Sequence, residues 1–196
     1  MKRSQALLVG VAAAIVALAA GVYVAMMARQ TPPPLADGIV AQLFATRLDD
    51  SHGKPQAIAQ WQGKTLVINF WASWCPPCRD EMPEFSRLHS KYSEKGVQFV
   101  GIALDTADNV SRFAQQHAVS YPLLIGGTPG TELSRQLGND RLALPYTVVL
   151  GPAGDVRLAR LGRVSEQELD TLLARTSTRQ YASAGQNAAI CGKLRR

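Results

Sequence analysis

Cys75-Pro76-Pro77-Cys78 constrains this chain more than any other stretch. The cysteines stand where a β-branched apolar run, Thr65-Leu66-Val67-Ile68-Asn69-Phe70, gives way to a segment with helical periodicity. A thiol at a helix N-terminus feels the positive end of the helix dipole, which favours thiolate. The second thiol is close enough to close a ring with it. Dithiol–disulfide chemistry on a strand–turn–helix unit is therefore the leading expectation. A structural disulfide and half of a zinc site are the rivals. Zinc needs four ligands, usually including a second close pair, and Cys191, His52, His89 and His117 are widely scattered. Neither a metal nor a cofactor is expected.

The segments around the cysteines read as an α/β domain. Thr65 to Phe70 has the near-continuous apolar pattern of a central buried strand. Pro77 to Lys95 reads as a helix with Met82, Phe85, Leu88 and Tyr92 on its apolar face, a kink at Pro83 and a stop at Gly96. Upstream, Leu43 to Leu48 and Gln56 to Ile58 are expected as strands flanking a turn. Downstream, Val97 to Leu104 is a second core strand and Asp108 caps a helix through His117. An extended piece at Tyr121 to Ile125 and a short helix at Gly130 to Leu137 follow. Pro145 to Leu150 is a third strand, and Pro152 to Asp155 turns into a fourth, Val156 to Leu161. Ser165 caps a last helix with Leu169, Leu172 and Leu173 facing inward.

Residues 6–27 are almost wholly apolar and uncharged, about the length that spans a bilayer core of ~30 Å. Lys2 and Arg3 precede them, which puts residues 1–5 in the cytoplasm and the rest of the chain outside, in the periplasm or its equivalent. An uncleaved anchor in the inner (cytoplasmic) membrane is favoured over a cleaved signal peptide, whose apolar region is normally only ~7–15 residues. Both readings deliver the domain to a compartment where disulfides persist. Residues 28–37 contain Thr31-Pro32-Pro33-Pro34, a stiff spacer. The domain proper is expected over 38–176 and a loose basic tail over 177–196. The chain's net charge of +6 resides in its ends; Gln30 to Ala174 carries 13 basic and 15 acidic residues, a net of −2. Nucleic-acid binding therefore has little support.

Val67-Ile68-Asn69-Phe70-Trp71-Ala72-Ser73-Trp74-Cys75-Pro76-Pro77-Cys78, with Glu81 and Pro83 after it, resembles the thioredoxin-like superfamily. Within that superfamily it is similar to the membrane-anchored TlpA/ResA group of extracytoplasmic thiol–disulfide oxidoreductases. Leu144-Pro145-Tyr146-Thr147-Val148-Val149-Leu150 resembles the group's cis-proline strand, and the likeness covers roughly Gly38 to Arg175. The resemblance implies a central mixed β-sheet flanked by helices, with an N-terminal β-hairpin extension and one transmembrane helix. It also implies a Cys75/Cys78 redox-active disulfide, Cys75 attacking a substrate disulfide and Cys78 resolving the intermediate. Thioredoxins proper place a buried Asp at the position of Asn69. Asn cannot take a proton, and the resemblance transfers that role to Glu81; the alternative is a first-turn acid that stabilises the helix dipole.

Trp74, Pro76, Leu144 and Pro145 are the expected substrate-binding residues, while Trp71 is expected in the core and His89 and His117 on solvated helix faces. Each proline between the cysteines removes a backbone donor that could stabilise a thiolate. A couple near the reducing end of the range from about −270 mV to about −120 mV follows. The implied partners are a disulfide-containing protein substrate, such as apocytochrome c, and a membrane thiol-electron transporter as donor. A thiol peroxidase, a metal-delivery protein and a non-catalytic binding module are the rival functions. A peroxidase would usually have Thr where Ala72 stands.

Overall fold

The computed structural model describes residue 10, residues 12–23 and residues 38–176. The chain divides into two compact units, residues 1–33 and 34–196. In the first, residues 12–23 form a helix, α1, whose Ile15, Val16, Leu18, Val22 and Tyr23 are exposed. The rest of the span expected over 6–27, the whole 28–37 spacer, the 177–196 tail and Cys191 lie outside the described residues. Among the described residues no helix is long and apolar enough to cross a membrane, so the expected transmembrane helix is not borne out there.

In the second unit a seven-stranded sheet runs in the order β2-β1-β5-β4-β3-β6-β7. The strands are β1 Arg47–Asp50, β2 Pro55–Ala57, β3 Thr65–Trp71, β4 Val97–Ala103, β5 Leu123–Ile125, β6 Tyr146–Leu150 and β7 Val156–Leu161. β3, β4 and β5 are parallel neighbours, joined through α3 (Pro76–Tyr92) and α4 (Ala107–Gln116). The pairs β3–β6, β6–β7, β1–β5 and β1–β2 are antiparallel. This mixed sheet and hairpin extension match the expected thioredoxin-like architecture.

β3 is buried along its whole length because both sheet faces are covered. Its alternate residues divide between two cores, as the two-residue period of a strand requires. Leu66, Ile68 and Phe70 join Ile39 and Leu43 of α2 (Ile39–Ala45) and Leu133 of α5 (Gly127–Gln136). Val67 and Trp71 join Met82, Phe85 and Leu88 of α3, Phe113 of α4, and Leu169 and Leu173 of the last helix, α6, at 166–176. Asn69 lies between Val67 and Trp71, on the face that looks toward α3.

α3 is helical for the reason its sequence suggests: Cys78, Glu81, Met82, Phe85, Leu88 and Tyr92 form one buried stripe. It runs unbroken through Pro83, and its 3-10 extension, Ser93–Lys95, stops at Gly96 with φ 76, a left-handed conformation that glycine adopts at little cost. Three ion pairs tie its outer side to the segment after β7: Arg163–Glu84, Arg87–Glu166 and Lys91–Asp170. At such exposed sites each contributes about 0–1 kcal/mol.

Several boundaries differ from expectation, and Ile58, expected at the end of a strand, opens a 3-10 turn instead. Leu43 belongs to α2 rather than to a strand, and β1 begins at Arg47. The cap of α4 is Thr106, whose hydroxyl accepts from Asn109 N at 3.3 Å, and not Asp108. α5 begins at Gly127 rather than Gly130, and β5 is confined to Leu123–Ile125.

Candidate active site

β3 delivers the chain to a tight turn in which Cys75 N donates to Ala72 O at 3.2 Å. Cys75 is the N-cap residue of α3, with extended φ,ψ of −94°, 102°, and the helix starts at Pro76. Cys78 follows in the first turn and is joined to Cys75 by a disulfide with an S–S distance of 2.03 Å. Cys78 is fully buried and Cys75 is 4 % exposed. The neighbours are open: Trp74 is 66 % exposed, and Pro76 and Pro77 are exposed. A helix start leaves four amides without intrahelical partners. Here Pro76 and Pro77 supply none and Cys75 N is already bonded, which leaves the Cys78 amide for a thiolate at Cys75.

The turn is held from below by Asp105, just past the end of β4. Its Oδ2 accepts from Ser73 N at 2.9 Å and Ser73 Oγ at 2.6 Å; its Oδ1 accepts from Thr106 N and Asn109 Nδ2, both at 2.7 Å. Partial burial pushes the carboxyl up, but these hydrogen bonds outweigh it and hold the group below the usual Asp range. One carboxylate thus fastens both the cysteine turn and the start of α4.

Glu81 lies on the same face of α3 as Cys78, three residues on, a spacing that puts Cβ atoms about 5–6 Å apart. It is fully buried. Asn69 Nδ2 donates to its Oε1 at 2.8 Å, and Val164 N donates to its Oε2 at 3.3 Å. Asn69 Nδ2 also donates to Thr147 Oγ1 at 3.1 Å, across the register pair Asn69–Thr147 of β3 and β6. Burial pushes the Glu81 carboxyl up from 4.5 to about 7, against the opposing hydrogen bonds from Asn69 and Val164 and the charge of Arg163. Because α3 starts at Pro76, Glu81 belongs to the second turn. The reading of it as a first-turn acid therefore does not fit.

The Leu144–Pro145 peptide bond is cis. Leu144 is half-buried and packs against the cluster that contains both cysteines. The register Phe70–Tyr146 sets Pro145 beside the Trp71 end of β3, where the cysteine turn begins. Asn139 shapes the loop before it, donating to Ala143 O at 3.0 Å and accepting from Ala143 N at 3.1 Å. Tyr146 OH donates to Leu137 O at 2.7 Å.

Of the expected site residues, the structure gathers Cys75, Cys78, Trp74, Pro76 and Glu81 on one turn–helix unit and brings Leu144 and Pro145 to the same end of the sheet. Trp71 is core, as expected, with Phe113 at 4.8 Å between ring centroids. His117 is exposed and stacks on Phe113. His89 is not simply solvated: it is half-buried, edge-on to Phe99 and Tyr121. Sequence reasoning missed Asp105, Thr147 and Val164. Their signals are weak, because register and a loop amide bring them to the site. A cleft of about 480 Å³ beside Trp61 and His117 has no cysteine in its lining.

The Redoxin family's sequence pattern matches residues 37–173. A thiol-disulfide oxidoreductase ResA from Bacillus thuringiensis subsp. konkukian is 31% identical over 125 residues, 63% of this chain and 70% of the relative. A solved thioredoxin-related protein from Neisseria meningitidis serogroup B is 34% identical with a TM-score of 0.59, covering 67% of this chain and 98% of that one. A thiol:disulfide interchange protein from Chlorobium tepidum TLS is 29% identical with a TM-score of 0.59, covering 67% and 92%.

Proposed function

The chain belongs to the Redoxin family and is a thiol–disulfide oxidoreductase of the ResA type, and on that basis we propose that it reduces protein disulfides outside the cytoplasm. The observation that carries the dithiol chemistry is the Cys75–Cys78 disulfide at the start of α3 with the buried Glu81 on the face of Cys78, its carboxyl pushed up to about 7. A group with a pKa near the working pH can both take and return a proton. Cys75 thiolate attacks one sulfur of a substrate disulfide, forming a Cys75–substrate disulfide and expelling the other substrate sulfur as thiolate. Cys78 passes its proton to the Glu81 carboxylate and attacks Cys75 Sγ. The Cys75–Cys78 disulfide forms, the substrate leaves as a dithiol, and two electrons have passed to it.

The preference for reduction rests on Pro76 and Pro77. With two amides deleted from the helix start, the thiolate and hence the reduced form are less stabilised. The uncharged apolar stretch 6–27 supports an anchor in the cytoplasmic membrane with the domain on the far side. Electrons then come from a membrane thiol transporter, and the acceptor is a disulfide-containing protein such as apocytochrome c. Trp74, Pro76, Leu144 and Pro145 form the docking surface.

The reduced protein should reduce a model protein disulfide, and Cys75→Ala should abolish the activity. Cys78→Ala should retain substrate as a mixed disulfide on Cys75, whose isolation identifies the partner. A redox titration should place the couple near −270 mV; a value near −120 mV, that of a strong oxidant, would overturn the direction of flow.

A further inference from the structure

Residues 162–164, between β7 and α6, contact three different parts of the site in succession. Gly162 N donates to Pro145 O at 2.9 Å. The Arg163 guanidinium pairs with Glu84 of α3. Val164 N donates to Glu81 Oε2 at 3.3 Å. Gly162 has φ 87, a conformation in which a β-carbon would be strained, so the chain turns here on a glycine. The strap therefore spans from the cis proline to the buried acid and carries a cation between them.

We propose that Arg163 is a positioning residue for the Glu81 step, acting on that carboxyl through its charge and its place in the strap. The charges around Glu81 come from few directions. From α3 comes Glu84, three residues on; from the strap comes Arg163. β3 and β6 contribute the neutral Asn69 and Thr147. The segment just before β5 contributes the buried Tyr121 phenol, itself pushed up by burial and by the Glu81 charge. Arg163 favours the Glu81 carboxylate and Glu84 opposes it. Together they form a surface ion pair whose two members push the buried acid in opposite directions. Glu81 is sealed from solvent while Arg163 and Glu84 remain half-exposed, at 46 % and 20 % of their side chains. The pair can therefore vary the acid's proton affinity without entering the core.

The inference rests on Glu81 as the proton carrier for Cys78, but its test does not. In the oxidised full-length protein, the Glu81 side-chain carboxyl is followed by 13C NMR through a pH titration. R163Q should raise its midpoint and E84Q should lower it, each by about half a pH unit for a charge at such range in a partly solvated setting. The double variant should return toward wild type. A purely structural ion pair predicts the same direction for both single variants, because each breaks the same contact; that result, or no shift in either, overturns the proposal. The pH dependence of substrate reduction by the same variants is then compared. Shifts in the carboxyl titration without matching shifts in the pH–rate profile would remove Glu81 from the reaction, and with it the role of Arg163 in that step.

Discussion

Replacing Glu81 with Gln should alter how stability depends on pH more than it alters stability itself. The buried carboxyl has a folded-state pKa of about 7, against 4.5 for the free group. A carboxyl shifted in that direction favours the fold while protonated. Its contribution is fully present below about 4.5, shrinks as pH rises, and is lost above 7. At 1.36 kcal/mol per unit the loss is about 3 kcal/mol, a large fraction of the 5–15 kcal/mol typical of a domain. Gln removes the titration and fits the same space. Its amide can be received if Asn69 flips, since Asn69 Oδ1 has no hydrogen-bond partner among the described residues of the wild type. Oδ1 would then accept from the Gln Nε2 and from the Thr147 hydroxyl, while Val164 N keeps an oxygen acceptor. Any residual misfit is the same at every pH, so it offsets the curve without tilting it. Urea unfolding of the oxidised protein between pH 4 and 8.5, followed by tryptophan fluorescence, should give a wild-type curve that falls relative to that of E81Q by about 3 kcal/mol across the window. Parallel curves would mean that Glu81 is not held neutral by burial, and the proton-carrier role would lose its physical basis.

Asp105→Asn leaves one acceptor oxygen where four donors now converge. It should cost about 1–3 kcal/mol and speed hydrogen exchange at the Ser73 amide more than at the β3 amides. The wild-type contribution of Asp105 is present above the ordinary carboxylate range and is lost as pH falls through its lowered folded value, the opposite sense to Glu81. Gly101→Ala would bring a β-carbon to 2.7 Å from Leu123 Cδ2 and 3.0 Å from Trp71 Nε1. Overpacking of that kind should cost about 1–3 kcal/mol, read as a fall in Tm.

What could be read from the sequence was what local periodicity encodes. β3, α3, β4 and β6 each carry a full apolar pattern, β7 alternates behind a turn, and Cys75, Cys78, Glu81 and Pro145 stand in motifs next to them. α2 was not legible. It is seven residues long, with no side-chain cap and only Ile39 and Leu43 buried at helical spacing; Leu43 to Leu48 alternates like a strand. The start of α4 offers Asp105, Thr106, Asp108 and Asn109 within five positions, all able to cap. Asp105 is taken by the cysteine turn, which leaves Thr106 to serve. Thr147 reaches Asn69 through sheet register and Val164 reaches Glu81 through a loop amide, and neither relation has a signature in neighbouring residues.

The exchange of a strand acid for a helix acid has a geometric consequence. A carboxylate on β3 at position 69 would be fixed by the sheet and would approach Cys78 from across the core. Asn69 instead donates to Glu81, so the strand position has become a support for the acid rather than the acid itself. Glu81 shares a helix and a face with Cys78, and the two keep their spacing if α3 shifts as a unit. The cost is a carboxyl on a stripe otherwise lined by apolar side chains. With two donors and a partial positive surround, the molecule compensates that burial only in part, which is why the group stays poised near neutrality. Full compensation by a third buried donor would return it to an ordinary carboxylate and leave Cys78 beside an anion with little affinity for its proton.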